Sequence, residues 1–141
     1  MSAIMFVKRR LALTQALRIA CIDDDPIVLE AIMDFLEASG FVADGFSSAE
    51  DFINSGPPGR MSCLITDVKL GGMSGLQLQQ RLEMSGIKIP TIVISAFADD
   101  QISAQAYGSG AVCVLSKPVP MDRLLICIRN ALDQARGHEK I

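Results

Sequence analysis

Several acidic and basic side chains in this 141-residue sequence follow directly on apolar runs, far apart from one another. Asp23 and Asp24 come after Ile19-Ala20-Cys21-Ile22, and Asp67 comes after Cys63-Leu64-Ile65-Thr66. Ser95 comes after Ile92-Val93-Ile94, and Lys117 stands just beyond Ala111-Val112-Cys113-Val114-Leu115. Brought together, they would make a site of three carboxylates, a hydroxyl and an ammonium. Carboxylates held that close repel, so some take up a proton or a cation settles among them. Hard oxygen donors without histidine or thiolate suit magnesium, which needs few carboxylates and keeps several waters. A carboxylate beside such a cation and a lysine can accept a phosphoryl group, because aspartate is a known covalent nucleophile for phosphorus. Phosphoryl transfer then needs charge cover on three equatorial oxygens. The cation would take one, Lys117 a second and the Ser95 hydroxyl a third.

The elements that must position these residues alternate along the chain. Arg18 to Ile22 reads as a strand, and Asp25-Pro26 as a helix start with the acid at the cap and proline in the first turn. Val28, Ile32 and Leu36 then fall on one helical face, and Gly40 supplies a stop. Phe41 to Phe46 is a weaker second strand, and Ser47 or Ser48 caps a short helix carrying Ala49, Phe52 and Ile53. Ser62 to Thr66 is the third strand, and the glycine-rich loop Gly71 to Gly75 leads into a helix with Leu78 and Leu82. Pro90 to Ile94 is the fourth strand, and Asp99 or Asp100 caps a helix through Ile102, Ala106 and Tyr107. Ala111 to Leu115 is the fifth strand, and a last helix starts near Pro120 and uses Leu124, Leu125, Ile128 and Leu132. Five strands alternating with five helices predict an α/β fold: a doubly wound five-stranded parallel sheet between two helical layers. Ligands of such sheets sit beyond the carboxyl ends of the strands, which is where the polar residues above fall.

Taken singly, each residue has a plain structural reading, Asp67 as a turn residue, Ser95 as a cap, Lys117 as a surface lysine. Their joint placement at four strand ends is what argues for a site. The composition narrows the alternatives. Thirteen basic against sixteen acidic residues leave a net charge of -3, with no hint of a nucleic-acid footprint. No apolar run approaches the ~20 residues a bilayer span needs, and MSAIMFVKRRLALTQALR lacks the order of a secretory signal. Cys21, Cys63, Cys113 and Cys127 are scattered without a CxxC, and the one histidine is His138, so neither zinc nor a catalytic thiol is expected. Three of the four lie inside apolar runs and read as free, small buried hydrophobes, which fits a reducing, cytoplasmic compartment.

The segments CIDDDPIVLEAI, LITDVKLGGMSGLQL, IVISAFAD and GAVCVLSKPV resemble, in order and spacing, the receiver domain of bacterial two-component response regulators, a CheY-like, flavodoxin-like fold. The resemblance covers about residues 18–136 and leaves 1–17 as an extension and 137–141 as a tail. It implies that Asp67 takes phosphate from a sensor histidine kinase or phosphotransfer protein. It implies that Asp23 and Asp24 hold Mg2+, Asp24 the more directly, with Asp67 and the backbone carbonyl of Lys69 completing the ligands. Ser95 would move toward the phosphoryl group, and Lys117, followed by Pro118, would pair with one of its oxygens. The sequence departs from the family in three places. Leu70-Gly71 replaces Met-Pro after the acceptor, which should loosen that loop. Val114 holds the place of the switch aromatic, so that role is absent or falls to Phe97 or Tyr107. Val119 stands where phenylalanine is common.

Three functions follow from this reading. The first is a phosphorylation-switched signalling domain, not a turnover enzyme, which acts on a downstream protein, either alone or as part of a longer regulator. A homodimer through its fourth and fifth helices remains open. The second is a haloacid-dehalogenase-type phosphatase with Asp23 as nucleophile and Asp99-Asp100 as an acidic pair; the order argues against it, because in that family the acidic pair follows the lysine. The third is a receiver-like interaction module independent of phosphorylation. A nucleotide-binding reading of Gly71, Gly72 and Gly75 is weak, since the spacing is not G-x-G-x-x-G.

Overall fold

The computed structural model describes residues 17–139. Residues 1–16 of the expected extension and 140–141 of the tail therefore lie outside the described residues. The chain runs β1 (Arg18–Ile22), α1 (Pro26–Ala38), β2 (Val42–Phe46), α2 (Ala49–Asn54), a 3-10 turn (Pro58–Arg60), β3 (Cys63–Asp67), α3 (Gly75–Met84), β4 (Thr91–Ser95), α4 (Asp100–Gly108), β5 (Ala111–Ser116) and α5 (Met121–Glu139). All neighbouring strands are parallel, in the order β2-β1-β3-β4-β5. The order reverses direction beside β1, and that reversal opens a crevice at the carboxyl ends of β1 and β3.

Burial explains which strands are legible in the sequence. β3 and β4 are buried at every residue, and β1 at all but Arg18, as central strands covered on both faces must be. β2 and β5 are the edges and are only half-buried. Alternate residues feed different layers. Ile19, Cys21, Cys63, Ile65, Ile92 and Ile94 pack with Ile32 and Leu36 of α1 and with Leu124 and Ile128 of α5. Ala20, Ile22 and Leu64 point the other way, to Phe52 of α2 and Leu78 and Leu82 of α3. Val93 and Ala111 meet Ala106 of α4. Each fully buried Ile, Leu or Phe contributes about 1.5–3 kcal/mol by leaving water, which offsets the entropy of ordering the sheet.

The helix starts fall at the expected residues. Asp25 accepts the Ile27 N–H ahead of Pro26, and Ser48 accepts that of Asp51. Asp99 accepts that of Ile102. Gly40 adopts a φ of 93°, the left-handed conformation that ends α1.

The cysteines correct one expectation. Cys21 and Cys63 are free and buried, but Cys113 and Cys127 are joined in a disulfide between β5 and α5. The two are 14 residues apart in sequence. Only the packing of α5 across the sheet turns both side chains into one layer, and spacing along the chain carries no trace of that.

Candidate functional site

Four strand ends converge at the crevice. Asp67 is the last residue of β3, and Asp23 follows β1 with its N–H on the Phe46 carbonyl at 3.1 Å. Parallel pairing sets Asp67 beside Ile94, one residue before Ser95, and Ser95 beside Ser116, one residue before Lys117. The Lys117 N–H donates to the Ser95 carbonyl at 2.9 Å, which anchors the lysine's backbone at the rim. The Lys117-Pro118 peptide bond is cis. Carboxylate oxygens of Asp23, Asp24 and Asp67 all lie within 4.8 Å of one another, with Asp23 and Asp67 buried and Asp24 exposed.

Lys117 Nζ stands between two of these carboxylates, 2.7 Å from Asp67 Oδ2 and 3.0 Å from Asp23 Oδ2. Burial pushes the Asp23 carboxyl above its usual range; the Asp25 N–H on Oδ1 and the Lys117 ammonium pull it back, and the Asp67 charge adds to the rise. Burial works against the charge on Lys117, but its hydrogen bonds to Asp67 and Asp23 and their two charges outweigh that and raise it above the usual lysine range. Among the described residues, one ammonium against three carboxylates leaves two negative charges uncompensated. A divalent cation fits that deficit and that oxygen set.

A cavity of about 200 Å3 opens beside Asp67, lined by Lys69, Ser95, Ala96, Phe97 and Ile102 among others. The Ser95 hydroxyl accepts the Phe97 N–H at 3.1 Å. Phe97 itself is turned outward, with Lys69 Nζ 6.0 Å from its ring centre. A larger cavity of about 470 Å3, lined by Gln79, Ile89 and Thr91, lies at the opposite, amino-terminal rim of the sheet and holds none of the strand-end residues.

The structure thus brings together Asp23, Asp24, Asp67, Ser95, Lys69 and Lys117. It leaves apart Asp99, which caps α4, and in the loop after β3 Gly71 has open space around it. Gly75 has a tighter reason: a Cβ there would overlap the Asp67 carbonyl oxygen, and its N–H donates to Val68 O at 3.0 Å. Sequence reasoning missed Glu50. From α2 its carboxylate accepts the Met73 N–H at 2.9 Å, and a Cβ on Gly72 would meet that same carboxylate. The loop expected to be loosened by Gly71 is therefore tethered two residues further on. The hydrogen bond from Met73 holds the Glu50 carboxyl below its usual range. The only sequence signal for this was an acid in the first turn of a short helix, which capping explains equally well.

The Val114 N–H, in mid-β5, donates to the Tyr107 hydroxyl at 3.3 Å. An aromatic residue therefore does reach β5, but from α4 and across the outer edge of the sheet.

A five-stranded doubly wound parallel sheet, with its acidic cluster and lysine at the carboxyl rim, places the molecule in the CheY-like class of α/β domains. The response regulator receiver domain model matches residues 19–129, and the chain belongs to that family. It is 40% identical over 114 residues to the response regulator protein TodT of Pseudomonas putida, covering 81% of this chain and 50% of that protein. It is 31% identical over 121 residues to the transcriptional regulatory protein FixJ of Azorhizobium caulinodans, covering 86% and 57%. The chain spans about half the length of these curated relatives. Among solved structures it superposes on FixJ-N with a TM-score of 0.77 at 30% identity, over 84% of this chain and 95% of that one. The response regulator StyR gives 0.79 at 30% identity, over 89% and 66%.

Proposed function

We propose that this receiver domain, residues 18–136, takes a phosphoryl group from a sensor histidine kinase or phosphotransfer protein onto Asp67. The observation that carries the reading is the Lys117 ammonium, 2.7 Å from Asp67, within an acidic cluster still short of two positive charges. Mg2+ held by Asp23, Asp24, Asp67 and the Lys69 carbonyl would supply that charge and cover one phosphoryl oxygen. Asp67 attacks phosphorus with the carboxylate oxygen that Lys117 leaves free. The bond from phosphorus to the donor nitrogen breaks, and its electron pair stays on the donor imidazole. Lys117 then turns from the carboxylate to a phosphoryl oxygen. The Ser95 hydroxyl reaches another once it gives up the Phe97 N–H. The domain promotes its own phosphorylation and hydrolysis and turns over no external substrate.

Release of the Ser95 hydroxyl would reshape the loop into α4 and bias a two-state equilibrium of the surface that a downstream protein reads, with Tyr107 in the aromatic role. The domain acts in the cytoplasm through protein contacts, without touching nucleic acid itself. No helix among the described residues is long and apolar enough to cross a membrane. The test is intact mass after incubation with Mg2+ and acetyl phosphate, on wild type and Asp67→Asn. One phosphoryl adduct on wild type alone is the expected result. An adduct on both proteins would move the acceptor elsewhere, and none on either would favour a phosphorylation-independent module or a receiver that demands its own kinase, which magnesium titration then separates.

A further inference from the structure

The Cys113–Cys127 pair is chemistry that phosphoryl transfer does not use. Cys113 lies mid-strand in β5, opposite Ile92 of β4, and Cys127 lies in the second turn of α5. Their Cα atoms are 6.0 Å apart, within the span a disulfide bridges. Cys113 is half-buried at the sheet edge and is the more exposed of the two, Cys127 being only 5% exposed. The other two cysteines, Cys21 and Cys63, are wholly inside, and burial pushes the Cys63 thiol up to about 12, which keeps them out of exchange. In the cytoplasm, disulfides are usually transient or redox-sensing.

The bridged residue also sits next to the switch. Val114 follows it and donates its N–H to the Tyr107 hydroxyl, and the same strand ends at Ser116 and delivers Lys117. β5 is an edge strand, held on one side only by β4, so a covalent tie to α5 changes its freedom more than it would that of a central strand.

We propose that Cys113 and Cys127 form a reversible thiol–disulfide site for small molecules of the glutathione class, and that its oxidation locks the strand carrying Lys117 to α5. The step balances. The Cys113 thiolate attacks a sulfur of the small disulfide and expels one thiolate. The Cys127 thiolate then attacks Cys113 Sγ of the mixed disulfide and expels the second. Two protein thiols lose two electrons and two protons, and the small disulfide is reduced to two thiols. Thiols of the same class reverse both exchanges. The proposal rests on the cytoplasmic receiver reading above for its setting, but its test does not require phosphorylation.

The full chain would be equilibrated in glutathione buffers from fully reduced to fully oxidised, alkylated, and mapped by mass spectrometry. Expected is the loss of two alkylatable thiols at Cys113 and Cys127 alone, in one reversible transition. The oxidised form should melt about 10 °C higher, with amides of β5 and α5 exchanging at least about tenfold more slowly than in the reduced form. Cys127→Ser should abolish both differences, and if it fails to fold the wild-type titration still decides. Four alkylatable thiols at every buffer composition would overturn the proposal. So would a bridge that forms but leaves melting and exchange unchanged. Failure to take up phosphate in either redox form would instead count against the acceptor role of Asp67.

Discussion

Replacing Lys117 by methionine keeps most of the side-chain volume and removes the one ammonium that the described residues bring to the acidic cluster. Asp23 and Asp67 have side chains only 3% and 8% exposed, so both carboxylates lose their charge partner with little water to replace it. Stripping one partner from a buried ion pair costs about 3–5 kcal/mol. Lys117 is itself 21% exposed, and that solvent access brings the expectation down to about 2–3 kcal/mol at pH 7 without divalent cation. For a domain of this size the loss is a fall of about 10 °C in Tm. The pH dependence adds a second constraint. The Asp23 carboxyl is raised in the fold, so its charging destabilises the fold as pH rises through that raised value and the penalty disappears on acidification. Without Lys117 it rises further, so the gap between variant and wild type should narrow as pH falls below 7. The Lys117 contribution in the wild type is complete at these pH values and is lost only in alkali, above its raised value. Mg2+ should restore more stability to the variant than to the wild type, since the cation supplies the missing charge. Urea melts followed by circular dichroism, with EDTA or Mg2+ at several pH values, measure all three effects. A variant within about 0.5 kcal/mol of wild type at pH 7 in EDTA, an ordinary surface substitution, would refute the reasoning. A gap that does not change with pH would refute it equally.

Three further outcomes test the site. Asp24→Ala removes the exposed member of the cluster, so if Asp24 holds Mg2+ as proposed, Mg2+ affinity by titration should drop about tenfold or more while the fold is kept. Gly75→Ala should cost about 1–3 kcal/mol by overlapping the Asp67 carbonyl, despite alanine's better helix propensity, and should slow phosphorylation by acetyl phosphate. Glu50→Ala should release the Met73 N–H and lower Mg2+ affinity a few-fold, with Glu50→Gln restoring most of it because an amide oxygen still accepts that bond; equal affinities in all three proteins would leave Glu50 no positioning role.

The elements were legible because their signals are local. Central strands buried on both faces read as unbroken apolar runs, and the helix starts carry their own acceptors in Asp25, Ser48 and Asp99. The residues of the site were legible for a related reason: Asp67, Ser95 and Lys117 stand where apolar runs stop, and a parallel sheet gathers such stops along one rim. Only the tertiary structure decided which strands neighbour each other and what crosses between layers. The order β2-β1-β3-β4-β5 puts β1 beside β3, and so Asp23 against Asp67 and Lys117. The tether from Glu50 to Met73, the tyrosine of α4 on the β5 edge, and the joining of Cys113 to Cys127 depend on helices docking across loops and faces. Periodicity along a chain records which face of an element is buried, and says nothing of the residue on another element that the buried or capped group will meet.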